Sequence, residues 1–211
     1  MRLRAERPQL KRGPLGGDED MAMELDQILA KVRDHYLAGY RQAIASYRER
    51  FTPGGPEVLL EIERDTPLVY RYYRMDLVSG STDPPDMTEV NLDTHLEFET
   101  SHFHHDGLQV LVAPLVWNGV ECRVEPAFAD DAHLQAWALR WLDPEERAPN
   151  DSDGLGAYIH SITLPEGDAA GTAFSVDFGS APVRCVLELL TALRAAGART
   201  VELHSRTMLR E

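Results

Sequence analysis

VECRVEPAFADDAHLQAWALRWL at 120–142, YIHSITLPEGDAAGTAFSVDF at 158–178 and SAPVRCVLELLTALRAAGARTVELH at 180–204 are the stretches that decide the fold. Val120, Cys122 and Val124 alternate with Glu121, Arg123 and Glu125, the period of a strand with one buried face. Asp130 or Asp131 then opens a helix that places Leu134, Trp137, Ala138, Trp141 and Leu142 on one side and is closed by Pro144. Tyr158 to Leu164 and Thr172 to Phe178 read as two strands joined through Pro165, Glu166 and Gly167. A second helix follows, with Ser180 as cap, Pro182 in its first turn and Gly197 at its end. Its stripe is Val183, Val186, Leu187, Leu190 and Leu193, and Val201 and Leu203 form a last strand.

That order is βαββαβ, the split arrangement of a ferredoxin-like sandwich, so the expected class is α+β, with both helices on one face of an antiparallel sheet. Working outward, Leu108 to Val116 is nearly all apolar and reads as a central strand covered on both faces. Asn118 and Gly119 supply the signal of a tight hairpin into Val120. Further upstream, Val90, Leu92, Thr94, Leu96 and Phe98 alternate with Asn91, Asp93, His95, Glu97 and Glu99, which predicts a strand with one polar face. Leu68 to Leu77 and Val58 to Ile62 read as strands too. Residues 23 to 50 repeat apolar side chains at three and four, a helix stopped by Thr52, Pro53, Gly54, Gly55 and Pro56. Tyr36, Tyr40 and Tyr47 fall on its stripe and are assigned to the core. The expected layout is a disordered basic leader at 1–20, a helix plus antiparallel strands at 21–118, and the ferredoxin-like unit at 119–211, packed together as one body.

The chain has 211 residues, 43% hydrophobic and 27% charged, enough to bury a core without disulfides or metals. Cys122 and Cys185 both sit in apolar runs and read as buried thiols of a reducing compartment. No run reaches the length of a membrane span and no apolar segment follows the basic start, so a cytoplasmic location is expected. Residues 1–17 hold five basic residues against Glu6 alone, so they carry +4 and the rest of the chain carries −18 of a total of −14. A phosphate backbone would be repelled by that body, which argues against nucleic acid and for a basic partner.

The densest chemistry lies at Asp93, His95, Glu97, Glu99, His102, His104, His105 and Asp106. An outward face of Asp93, His95, Glu97 and Glu99 suits a basic protein partner. The alternative is a metal site for Zn, Mn or Fe, drawn from His95, Glu97, Glu99, His102, His104 and His105, since imidazole and carboxylate both ligate these ions. The acidic loop from Asp143 to Asp153 imitates a calcium loop but lacks its first and twelfth ligands, Pro149 and His160 standing there. Asp177, Phe178 and Gly179 spell a kinase triplet without the other kinase motifs, and no phosphate-binding or nucleophile-elbow pattern is present. The leading expectation is therefore a non-enzymatic acidic binding protein, of the kind that inhibits or gives immunity to a basic toxin or nuclease. The runner-up is a metal-dependent enzyme, and a small-molecule-sensing regulator is third.

Overall fold

The structure is a computed structural model that describes residues 24–50, 55–62, 66–80, 84–92, 96–168 and 170–205. Residues 1–20, expected to be a leader, lie outside the described residues, as do Asp93 and His95. Helix α1, Leu25–Arg50, buries Leu25, Ile28, Leu29, Val32, Tyr36, Leu37, Tyr40, Ile44 and Tyr47. The predicted stripe is thus a core face, in which Tyr36 and Tyr40 stack with ring centroids 5.5 Å apart.

Three strands follow as a small antiparallel sheet: β1 (Gly55–Glu61), β2 (Tyr72–Ser79) and β3 (Asp86–Thr88), in that order. A short 3-10 helix, Leu68–Arg71, takes the first residues of what the sequence suggested was all strand. The larger sheet contains β4 (Ser101–His105), β5 (Leu108–Val112), β6 (Val120–Glu125), β7 (Ser161–Ile162), β8 (Glu166–Gly167), β9 (Thr172–Asp177) and β10 (Thr200–His204). Its order is β4-β5-β10-β6-β9-β7, with β8 beside β9. Helices α2 (Ala132–Leu142) and α3 (Val183–Ala195) pack on each other, the Trp137 indole donating to the Cys185 carbonyl at 2.9 Å. The α+β class is present; residues 120–204 run β6–α2–β7–β8–β9–α3–β10, the short β8 adding a strand to the expected βαββαβ order, and β10, β6, β9 and β7 are neighbours with antiparallel pairings.

Several details differ from the sequence-based expectation. The sheet is mixed, because β10 runs parallel to β5. The hairpin expected at Asn118 and Gly119 does not exist, since β10 lies between β5 and β6. The Gly119 amide merely turns the chain by donating to the Val116 carbonyl at 3.0 Å. The hairpin that does form joins β4 to β5 through Asp106 and Gly107, both left-handed at φ 50° and 82°, the geometry a two-residue turn demands. No described residue between Glu89 and Thr100 is in a strand, yet the alternation survives: Val90 is buried, Leu92, Leu96 and Phe98 rest against the core, and Glu97 and Glu99 are exposed.

Strand β5 is covered on one face only, with Leu108, Val110 and Val112 buried but Gln109 exposed and Leu111 half-buried. Helix α3 begins behind Pro182 rather than Ser180, whose hydroxyl instead accepts the Tyr158 amide at 3.2 Å. Its buried set is Cys185, Val186, Leu189, Leu190 and Leu193, so Leu187 and Val183 are only half-buried. Helix α2 buries the five residues expected of it; the Asp130 carboxylate accepts the Ala132 amide at 3.1 Å and left-handed Asp143 ends the helix. Among the described residues no helix is long and apolar enough to cross a membrane.

Candidate functional site

His160 stands at the seam between the two sheets. Its amide donates to the Asp177 carbonyl at the end of β9 (2.8 Å), and its carbonyl accepts the Arg74 amide of β2 (2.7 Å). One residue thereby ties the small sheet to the large one. Its imidazole, 1% exposed as a residue, is closed in on several sides. Nε2 lies 2.8 Å from Oε1 of Glu57 on β1, and Nδ1 lies 2.9 Å from Oδ1 of Asp76 on β2, the latter a close ion-pair contact off the angle of a hydrogen bond. Oδ2 of Asp177 is 3.8 Å from Nδ1, and the Tyr40 ring meets the imidazole edge-on at 6.0 Å.

Burial on its own would lower the His160 pKa. The Asp177, Asp76 and Glu57 carboxylates outweigh it and push the imidazole up to about 10. The ring is therefore a buried cation at neutral pH. Asp177 is raised by burial, and further by Asp76 and Glu57, against the lowering pull of His160 and the Gly179 amide. Each carboxylate has a second anchor. Glu57 accepts the Gly156 amide (2.8 Å), Asp76 the Val90 amide (2.7 Å) and Asp177 the Gly179 amide (2.8 Å). Gly179 sits at φ 45°, where a Cβ would come within 2.2 Å of the imidazole. The backbone of Gly179 thus packs directly on the ring, and the imidazole, 1% exposed, links the two sheets from inside the protein. Asp177, with its side chain 25% exposed, is the edge of the cluster nearest to water.

Arg74 is the cluster's companion. Its guanidinium, nearly inaccessible, donates to the carbonyls of Leu142 (2.8 Å), Asp143 (3.1 Å) and Glu57 (2.9 Å) and lies 3.7 Å above the Tyr158 ring. A cation there satisfies the orphan carbonyls and the negative end of α2. The sequence reading missed all of these residues. The available signal was the ionisable residues that interrupt largely apolar or aromatic runs: Arg74 and Asp76 in YRYYRMDLV, His160 in YIHSI and Asp177 in FSVDF.

Asp76 also shapes the surface beyond the cluster. Its backbone carbonyl accepts the Tyr40 hydroxyl of α1 (3.2 Å), while its carboxylate holds the Val90 amide. Between those two anchored walls runs an open groove of about 440 Å³, lined by Gly39, Ala43 and Tyr47 of α1 and by Leu77, the exposed Glu89, Val90 and Leu92.

The residues singled out from sequence are dispersed. Glu97 and Glu99 are exposed, His102 and His104 project from the exposed face of β4, and His105 is half-buried with the opposite parity. Among the described residues no group of three or more His, Cys, Asp or Glu side chains is arranged to hold a metal ion. The calcium-like loop is stitched to α1. Asp151 accepts the amides of Asp153 and Leu155, Arg41 donates to the Asp153 carboxylate at 3.0 Å, and Arg48 donates to its carbonyl at 2.6 Å. Cys122 and Cys185 are free and buried, and burial pushes both thiols up, away from the reactive thiolate. Compared with family models, with curated proteins and with solved structures, the chain finds no match in any of the three.

Proposed function

We propose that this chain is a non-enzymatic, cytoplasmic binding protein whose acidic surface docks a basic protein, in the manner of an inhibitor or immunity protein. The supporting observation is how its positive charge is spent. Among the described residues Arg33 donates to the Ala181 and Ser180 carbonyls, Arg41 and Arg48 hold the Asp153 loop, and Arg74 is sealed inside. Arg71 pairs with Glu61, and Arg140 and Arg184 both reach Glu188. Arginines engaged internally leave the excess of carboxylates, −18 over residues 18–211, to set the outer field. The docking face we assign comprises Asp93, His95, Glu97 and Glu99. The βαββαβ unit, which we read as ferredoxin-like, hosts many activities and does not choose among them, so the reading rests on charge.

Affinity capture from the source cell at low and high salt tests it, with wild type, the double variant Glu97→Lys/Glu99→Lys, and Glu145→Lys as a control on the distant acidic loop. A basic protein held by wild type and by the control, and lost on double reversal or in high salt, is the expected result. Capture indifferent to both salt and reversal overturns the reading.

A further inference from the structure

The groove between α1 and the segment at 88–92 combines an apolar lining, a preset width and a single charge. We propose that it receives a long cationic side chain, lysine or arginine, projecting from the basic partner; this rests on the binding reading above and names the anchor. Lysine and arginine bury an aliphatic stem along apolar surface while keeping the charged head at the wet edge. Leu77, Val90 and Leu92 supply that apolar surface, and Glu89, the only charged residue among those lining the groove, is exposed to solvent. Among the described residues no cation already neutralises Glu89. The neighbouring arginines of α1, Arg41 and Arg48, are turned to Asp153.

The width is preset by two contacts to one residue. Tyr40 fixes α1 to the Asp76 carbonyl, and the Asp76 carboxylate fixes the Val90 amide opposite. Close approach below is allowed by Gly39, whose absent Cβ would stand 3.1 Å from the Leu92 methyl groups. A groove held open on both walls costs little ordering when it is filled. Its volume, about 440 Å³ and open to solvent along one side, suits a side chain with its flanking backbone rather than an enclosed ligand.

Amide chemical shifts of the full chain, followed during titration with n-butylguanidinium, n-butanol and butyrate, test the groove without any knowledge of the partner. The guanidinium should move resonances of residues 39–47, 77 and 88–92, and butyrate should not. Glu89→Gln should weaken the guanidinium about two- to fivefold, the effect of one exposed charge pair. Ala43→Leu should abolish the shifts by filling the groove; if that variant unfolds, Glu89→Gln alone decides. Shifts elsewhere, no shifts, or n-butanol binding as tightly as the guanidinium would overturn the inference. The two proposals fail separately. A groove that takes the guanidinium while no basic protein responds to reversal at Glu97 and Glu99 removes the partner and keeps the pocket. A basic protein lost on that reversal but with unchanged dissociation from Glu89→Gln and Ala43→Leu removes the pocket and keeps the partner.

Discussion

At His160 two opposed effects decide the charge: burial disfavours the imidazolium, and three carboxylates favour it by more. The folded pKa of about 10 lies above the ordinary 6.5, so the native state holds this proton where the unfolded chain has lost it. The stabilisation is fully present below about 6.5 and disappears as pH rises through about 10. Asp177, raised from 3.8 to about 7, acts in the same sense, its contribution present below 3.8 and lost as pH rises through about 7. Urea unfolding at pH 5 and pH 8 should therefore show wild type losing more stability across that interval than Asp177→Asn, which lacks one of the two protons. Equal losses would mean that Asp177 titrates as it does in the unfolded chain. His160→Gln leaves carboxylates buried without their cation and should cost about 3 to 5 kcal/mol at pH 7, part of it recovered at pH 5 as they protonate. A variant as stable as wild type at pH 7 would show that the seam is held by something else.

Among the elements, the β4–β5 hairpin and the loop at Gly119 make a controlled comparison. Gly107 is at φ 82°, and a methyl group added there would meet nothing within 4 Å, so Gly107→Ala adds backbone strain and no clash. The expected cost is about 1 to 2 kcal/mol. Gly119 also has open space around it but no left-handed φ, and Gly119→Ala should stay within about 0.5 kcal/mol of wild type. Chemical denaturation of the pair decides; equal effects would contradict the turn assignment. On α2, Trp141 is 7% exposed, donates to Glu188 at 3.1 Å and lies under Arg140 and Arg184. Trp141→Ala should lower stability by about 3 to 5 kcal/mol, since the α2–α3 contact loses one of its two tryptophans and cannot close over the gap. Thermal unfolding showing only a small change would place the α2–α3 packing elsewhere.

For the whole molecule, charge is the property that acts at a distance. If a basic partner docks at the face bearing Glu97 and Glu99, stopped-flow association should slow as salt rises, and reversal of the two to lysine should lower the association rate more than it raises dissociation. A rate insensitive to both would remove long-range steering from the mechanism. Residues 1–20 mix Arg, Pro, Gly and acidic side chains with few apolar ones, a composition from which little contribution to a core is expected. Their deletion should leave the melting temperature unchanged, and a fall of several degrees would show that they dock.

Local periodicity determined much of this protein on its own. The stripe of α1, the buried face of α2 and the inward Val120, Cys122 and Val124 of β6 follow from periods of 3.6 and 2, which the chain expresses without knowing its partners. Even the irregular segment around Leu96 to Glu99 keeps its predicted inside and outside, because apolar side chains seek the core whether or not a ladder forms. Tertiary structure alone decided which edges meet. An apolar strand states which face is buried, not which neighbour it pairs with, so the insertion of β10 between β5 and β6 was invisible beside the Asn118–Gly119 turn signal. The buried cluster was hidden for the same reason. Glu57 and His160 are 103 residues apart, and an ionisable residue within an apolar run does not say which distant groups it meets. Only when three strands and the seam segment converge, excluding water, do three carboxylates and one imidazole become each other's solvent, which makes their burial tolerable.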